Sequence, residues 1–151
     1  MKKAMAGFVW GVILLATGPE LALAAPPCPP QQAREVRIGH QAWRVEVAHT
    51  EQEREQGLAG RTGIAPGRAM WFVFPEPGIY GFWMKGMAFA LDLAWITPQG
   101  RMLGVESLLP CKTEPCPIHY PPEPVAFVLE AAAGSVPAVQ DAPASWHCEP
   151  D

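Results

Sequence analysis

The sequence predicts a mainly β domain, a sandwich or barrel of about seven short strands with one short helix. Three observations carry this. Apolar and polar residues alternate with a period of two in several short runs, as at Val36-Ile38 and at Trp43-Val45-Val47. Turn-forming residues punctuate the runs at Gly39-His40, Pro75-Glu76-Pro77-Gly78 and Thr97-Pro98-Gln99-Gly100. Only one stretch, after Thr50, starts as a helix starts, and an alternation of strands with long helices is missing.

The elements follow in order. Val36 to Val47 reads as a hairpin turning near Gly39-His40, with Trp43, Val45 and Val47 facing the core. Thr50-Glu51-Gln52-Glu53 is a capping box, in which hydroxyl and carboxylate satisfy each other's backbone donors. A helix from Glu51 to about Leu58 is expected, limited by Gly57 and Gly60. Ala69 to Phe74, Ile79 to Met84, Leu91 to Ile96, Arg101 to Ser107 and Val125 to Glu130 read as strands. A proline-rich loop fills 110–124. After Gly134 the pattern fades, with a helical turn expected within Ser135 to Asp141 and a tail held by Cys148.

The 151 residues allow one domain, 35–151, behind two leading segments. Lys2 and Lys3 precede an apolar run from Phe8 to Ala16, and Ala22-Leu23-Ala24 offers small residues for a signal peptidase. Residues 1–24 are read as a signal peptide, too short in its apolar part to span a bilayer. Residues 25–34 are expected to form a flexible arm tied down through Cys28 alone. The destination is periplasmic or secreted. Loss of the leader's two lysines and one glutamate takes the net charge from −4 to −5, and no basic stripe marks a nucleic-acid partner. Four cysteines in an exported chain suggest two disulfides with three possible connectivities. Cys111–Cys116 closes a local loop, and Cys28–Cys148 joins the chain ends.

The longest dense stretch runs from Gly81 to Ile96 and contains Phe82-Trp83-Met84-Lys85 and Leu91-Asp92. Upstream stand Val45-Glu46-Val47-Ala48, Glu53-Arg54-Glu55-Gln56-Gly57-Leu58 with Arg61, and Met70-Trp71-Phe72-Val73-Phe74. Downstream stand Tyr120, Phe127-Val128-Leu129-Glu130 and Gly134. Together these residues resemble the Domain of Unknown Function 192 family, small bacterial and archaeal proteins that are often exported. The resemblance implies a jelly-roll-like sandwich and brings no established activity. The family usually follows Phe-Trp-Met-Lys with Asn-Thr and sets Pro before Leu-Asp, where this chain has Gly86, Met87 and Ala90. Two polar side chains are thereby lost, which tilts the reading from chemistry toward binding.

Strand alternation puts Trp83 and Lys85 on one face and Phe82 and Met84 on the other. A Lys85–Asp92 pair beside the Trp83 ring, with Arg54 and Tyr120 nearby, would make a recognition floor for a small polar or anionic ligand. The plainer reading has Asp92 bonding turn amides, Trp83 in the core, and Arg54 paired with an internal carboxylate such as Asp92 or Glu130. Met70, Met84, Met87 and Met102 admit copper(I) handling, although methionines in apolar runs fill gaps. Cys111, Cys116 and His119 with His147 and Cys148 are spaced loosely for zinc. No nucleophile motif or phosphate loop is present. The expectation is a monomeric, non-catalytic binding or accessory module without cofactor, facing a small ligand or an envelope component. The alternatives are an enzyme on an envelope polymer, with Asp92 or Glu130 as acid or base, and copper handling.

Overall fold

Alternation produces a hairpin of β1 (Glu35–Ile38) and β2 (Gln41–Ala48), turning at Gly39-His40. The computed structural model describes residues 28–149, so the leader expected over 1–24 lies outside the described residues. β2 pairs in parallel with β3 (Arg68–Gly78). A parallel pair needs a crossover, and this one carries α1 (Glu51–Gln56). Both halves of the Thr50–Glu53 capping box form, and the helix ends at Gly57. A two-residue strand, β4 (Phe82–Trp83), precedes β5 (Leu91–Ile96), which turns into β6 (Met102–Leu108). β7 (Ile118–His119) pairs with β4, and β8 (Val125–Ala132) and β9 (Ala144–His147) complete the chain.

Seven strands form one curled sheet in the order β6-β5-β8-β3-β2-β1-β9, antiparallel except at β2–β3. The curl nearly closes at one end. Met102 and Ala144 donate to Ala142 and Gly100, and Asp141 donates back to Met102, joining β6 to the approach to β9. The inner face therefore holds a closed core of Val36, Trp43, Trp71, Ile96, Met102 and Leu129. Trp71 stacks on Phe127 with centroids 5.0 Å apart. The outer face packs Met70, Phe72, Leu93, Trp95 and Val128 against Leu58, Met84 and the β4–β7 ribbon.

The expected mainly β class with one short helix stands, and several boundaries move. β3 runs on through Pro75 and Pro77, because a register shift between Val73 and Gly78 frees those positions from the ladder that proline cannot serve. The strand expected over Ile79 to Met84 shrinks to two residues, since Tyr80 stacks on Phe74 and Gly81 lies against Ile118 and Tyr120. Ser135 to Asp141 forms no helix. The tail instead makes β9, antiparallel to β1 from His147 opposite Glu35 to Ala144 opposite Ile38. Residues 28–34 have more ties than the Cys28–Cys148 disulfide: Ala33 is buried, Arg34 donates to His147, and the Trp146 indole donates to the Cys28 carbonyl at 2.7 Å. Cys111–Cys116 is the second disulfide.

A candidate ligand cleft over a buried glutamate

The crossover sets α1 over the outer face and leaves a cleft of about 360 Å³ between helix, sheet and the β4 turn. Phe72, Phe74, Tyr80, Phe82 and Trp83 give it an aromatic wall, and Glu130 lies at its floor. The volume falls in the range of small-molecule sites. The rings support one another: Phe74 stacks on Tyr80 at 3.7 Å, and Phe82 sits edge-on to Phe72 and Trp95.

Glu130 is the one charged residue of β8, a strand that is otherwise apolar and almost wholly buried. Alternation turns its side chain outward with Val128, opposite Met70 and Leu93 on the neighbouring strands. Oε2 has no hydrogen-bond partner and, like the Phe72 ring, lies close to Gly57. Burial pushes the Glu130 carboxyl up to about 8, because a low-dielectric surrounding without a counter-charge favours the neutral acid. At neutral pH the floor of the cleft is thus an uncharged carboxyl.

The rim is charged. Glu51, Arg54 and Glu55 come from α1, and Lys85 from the turn after β4. Arg54 does not pair with Glu130 or Asp92 as expected of an internal pair. Its guanidinium donates to the His49 and Val73 carbonyls, the latter at 3.1 Å, and lies 5.4 Å from the Phe74 ring centroid. Backbone acceptors nearer the helix capture it first.

Of the residues expected to form the recognition floor, Trp83, Lys85 and Arg54 line the cleft. Trp83 is half exposed and not core. Lys85 binds Glu114 of the disulfide loop at 2.9 Å instead of Asp92. Asp92 lies on the inner face, where Ser107 Oγ donates at 2.6 Å and the Val136 amide at 2.9 Å. The reason is register: Asp92 alternates with Leu91 and Leu93, and those fill the outer core. Tyr120 lies over Gly81, whose missing Cβ leaves room for it, and is not part of the cleft lining. From the sequence, Glu130 stands out only as an internal partner for Arg54 or an alternative acid, and the aromatic wall does not stand out. The signal was a lone glutamate in the buried run Val125–Ala132, on the same parity as Val128.

Gly86 has φ +73°, a conformation that asparagine tolerates better than other side chains. Gly86 also accepts from the Gly60 amide. Asparagine at this place in the family therefore has a conformational explanation, and its replacement by glycine does not by itself remove chemistry from the site. Met70 and Met84 lie in the outer core with Met87 packed against it, and Met102 lies in the inner one, so the four thioethers do not share one cluster. Among the described residues no group of three His, Cys, Asp or Glu side chains is disposed to hold a metal ion.

The profile of the Domain of Unknown Function 192, described as an uncharacterised ACR, matches residues 34–141. The chain belongs to this family. No curated protein matches. A crystal structure from Sinorhizobium meliloti 1021, provisionally described as a transcription regulator, is similar at 30% identity and TM-score 0.68, over 74% of this chain and 92% of that one. A protein of unknown function from Novosphingobium aromaticivorans DSM 12444 shares the fold at TM-score 0.67 and 21% identity, over 82% and 94% of the two chains. No helix among the described residues is long and apolar enough to cross a membrane. The two disulfides are compatible with an oxidising, extracellular environment.

Proposed function

We propose that this member of the family is an exported binding module whose ligand enters the aromatic cleft and places a polar group on Glu130. The observation that carries this is the unpartnered, buried Oε2 at the floor of an open cleft. Leaving a buried polar atom without a partner costs roughly 1–3 kcal/mol. A ligand group that reached the Glu130 carboxyl would recover that cost. Trp83, exposed at the mouth, offers a stacking surface.

A second reading has a specific observation behind it. A carboxyl raised to about 8 by burial, beside an open cleft, suits a general acid acting on an envelope polymer. Turnover of a labelled polymer that Glu130→Gln abolishes would establish it. The description of the S. meliloti protein as a transcription regulator is not carried over, since a chain of net charge −4 offers nucleic acid little attraction.

A small-molecule panel followed by Trp fluorescence and thermal shift tests the cleft. Ala59 lines it, so Ala59→Trp should fill it and abolish binding while the circular dichroism spectrum stays unchanged. Trp83→Ala should weaken binding about tenfold, the worth of one aromatic contact. Hits that bind both variants as they bind the parent would place the site elsewhere.

A further inference from the structure

We infer that the ligand of the cleft is a tertiary or quaternary alkylammonium ion, its alkyl groups set among the aromatic rings and its charge met by the Glu130 carboxylate. The inference rests on the cleft being the ligand site and adds the sign of the ligand's charge and its degree of alkylation.

Glu130 is missing a counter-ion. One row of residues crosses five strands on the outer face: Glu46, Met70, Glu130, Leu93 and Glu106 are successive neighbours. The two outer carboxylates have donors. Arg61 grips Glu46 with two bonds of 2.9 Å, and Glu106 takes the Trp95 indole N–H at 2.8 Å and His119 at 3.0 Å. The middle one has an Oε2 without any. Arg54, the cation on the overlying helix, is turned away to the His49 and Val73 carbonyls. The protein completes every carboxylate in the row except the one that opens into the cleft.

The aromatic wall suits a cation as well. Ring faces attract cations, and aromatic cages recognise alkylated ammonium groups. This ring cluster already holds one cation, with Arg54 over Phe74. N–H groups narrow the choice. A primary ammonium brings three donors, and a single carboxyl among rings would leave some unmet at roughly 1–3 kcal/mol each. A tertiary ammonium brings one donor and a quaternary none. A sugar ring meets the same obstacle, since the floor offers one polar group to its several hydroxyls.

The charged and titratable groups facing the cleft are Glu51, Arg54 and Glu55 from α1, Tyr80 and Lys85 from the segment across the opening, and Glu130 itself. The flanking strands present Met70 and Leu93 to Glu130. The rim's two acids balance its two bases, and Lys85 is further occupied by Glu114. The proton balance is simple. A permanent cation binds the neutral acid, Glu130 ionises, and one proton goes to solvent. Affinity therefore rises with pH, about tenfold per unit, until Glu130 is ionised in the free protein, and then levels off.

The test is calorimetric titration of the disulfide-bonded protein with choline, tetramethylammonium and 3,3-dimethyl-1-butanol, the neutral carbon isostere of choline, between about pH 6 and pH 9 in buffers of different ionisation heat. The expected result is binding of both cations, about tenfold or more over the isostere, with proton release below the titration of Glu130. Glu130→Gln should remove the release and the preference while retaining the fold, and Trp83→Ala should weaken the cations with the release intact. Equal or tighter binding of the isostere, proton uptake, or affinity falling with pH would overturn the ammonium inference and leave the cleft in place. So would failure of both cations while Ala59→Trp still abolishes binding of another panel ligand. If no ligand of any class responds to Ala59→Trp, the cleft reading falls and this inference with it.

Discussion

Asp92 and Glu130 are buried carboxylates on adjacent strands of one sheet, yet one is finished and the other is not. β5 and β8 set Leu93 opposite Glu130 and Asp92 opposite Ala131, so the two acids point to opposite faces. Asp92 enters the closed inner side, receives Ser107 and the Val136 amide, and ties the segment after β8 to β5. Glu130 enters the outer side and lines an open cleft, its buried Oε2 without a partner. Burial alone does not distinguish a structural acid from a site acid. The count of donors does. Both faces pack a core, and the outer one leaves the Glu130 oxygen unpartnered beneath an open cleft.

That contrast can be broken most strongly through the disulfides. Cys28–Cys148 spans 120 residues and binds the ends across the inner core, whereas Cys111–Cys116 spans 5 and holds the outer loop that brings Glu114 to Lys85. Loop-closure entropy gives about 5 kcal/mol for the first and about 2 for the second. Urea unfolding of the two double-serine variants should rank them in that order.

The tryptophans come next. Trp71, fully buried between Phe127 and Trp146, should cost about 4 kcal/mol when changed to alanine. Trp83, half exposed, should cost about 0.5 kcal/mol or less, while weakening ligand binding. Asp92→Ala should lose about 3 kcal/mol, because the buried Val136 amide is left without an acceptor. Glu130→Gln should go the other way, gaining about 1–3 kcal/mol at pH 9, where the parent must bury a bare charge. The sign follows from linkage. The folded pKa of Glu130 is raised from 4.5 to about 8. Its contribution to stability is full below about pH 4.5, declines as pH rises, and is gone above about pH 8. Denaturant midpoints measured across that window should slope downward in the parent, and Glu130→Gln should remove this part of the slope.

Much of the fold was legible because it rests on local rules. The Gly39-His40 hairpin, the Thr50–Glu53 capping box and the Cys111–Cys116 disulfide follow from short-range pattern, and Cys28–Cys148 from the nearness of chain ends. β9 was not legible. Ala144-Ser145-Trp146-His147 is too short to show alternation, and only its pairing with β1 makes it a strand. The site was legible in part. Period two separated Trp83 and Lys85 from Phe82 and Met84, and the cleft uses the first pair at its mouth. Asp92 was misplaced because five non-strand residues, 86–90, separate Lys85 from β5, and spacing across a turn does not fix which face a strand presents. Glu130 and Phe72 are far apart in the chain, and β3 and β8 become neighbours only through the sheet order.

The central claim is that Glu130 is a neutral acid at the floor of an open cleft. Carbon-13 NMR of the side-chain carboxyl groups, with Glu130 assigned through Glu130→Gln, measures this directly. The expected titration midpoint lies near 8, and alkylammonium binding should move it down. A midpoint near 4.5, the ordinary value for a glutamate, would contradict the account, since a floor that ionises freely is hydrated or paired and holds no place for a ligand's charge.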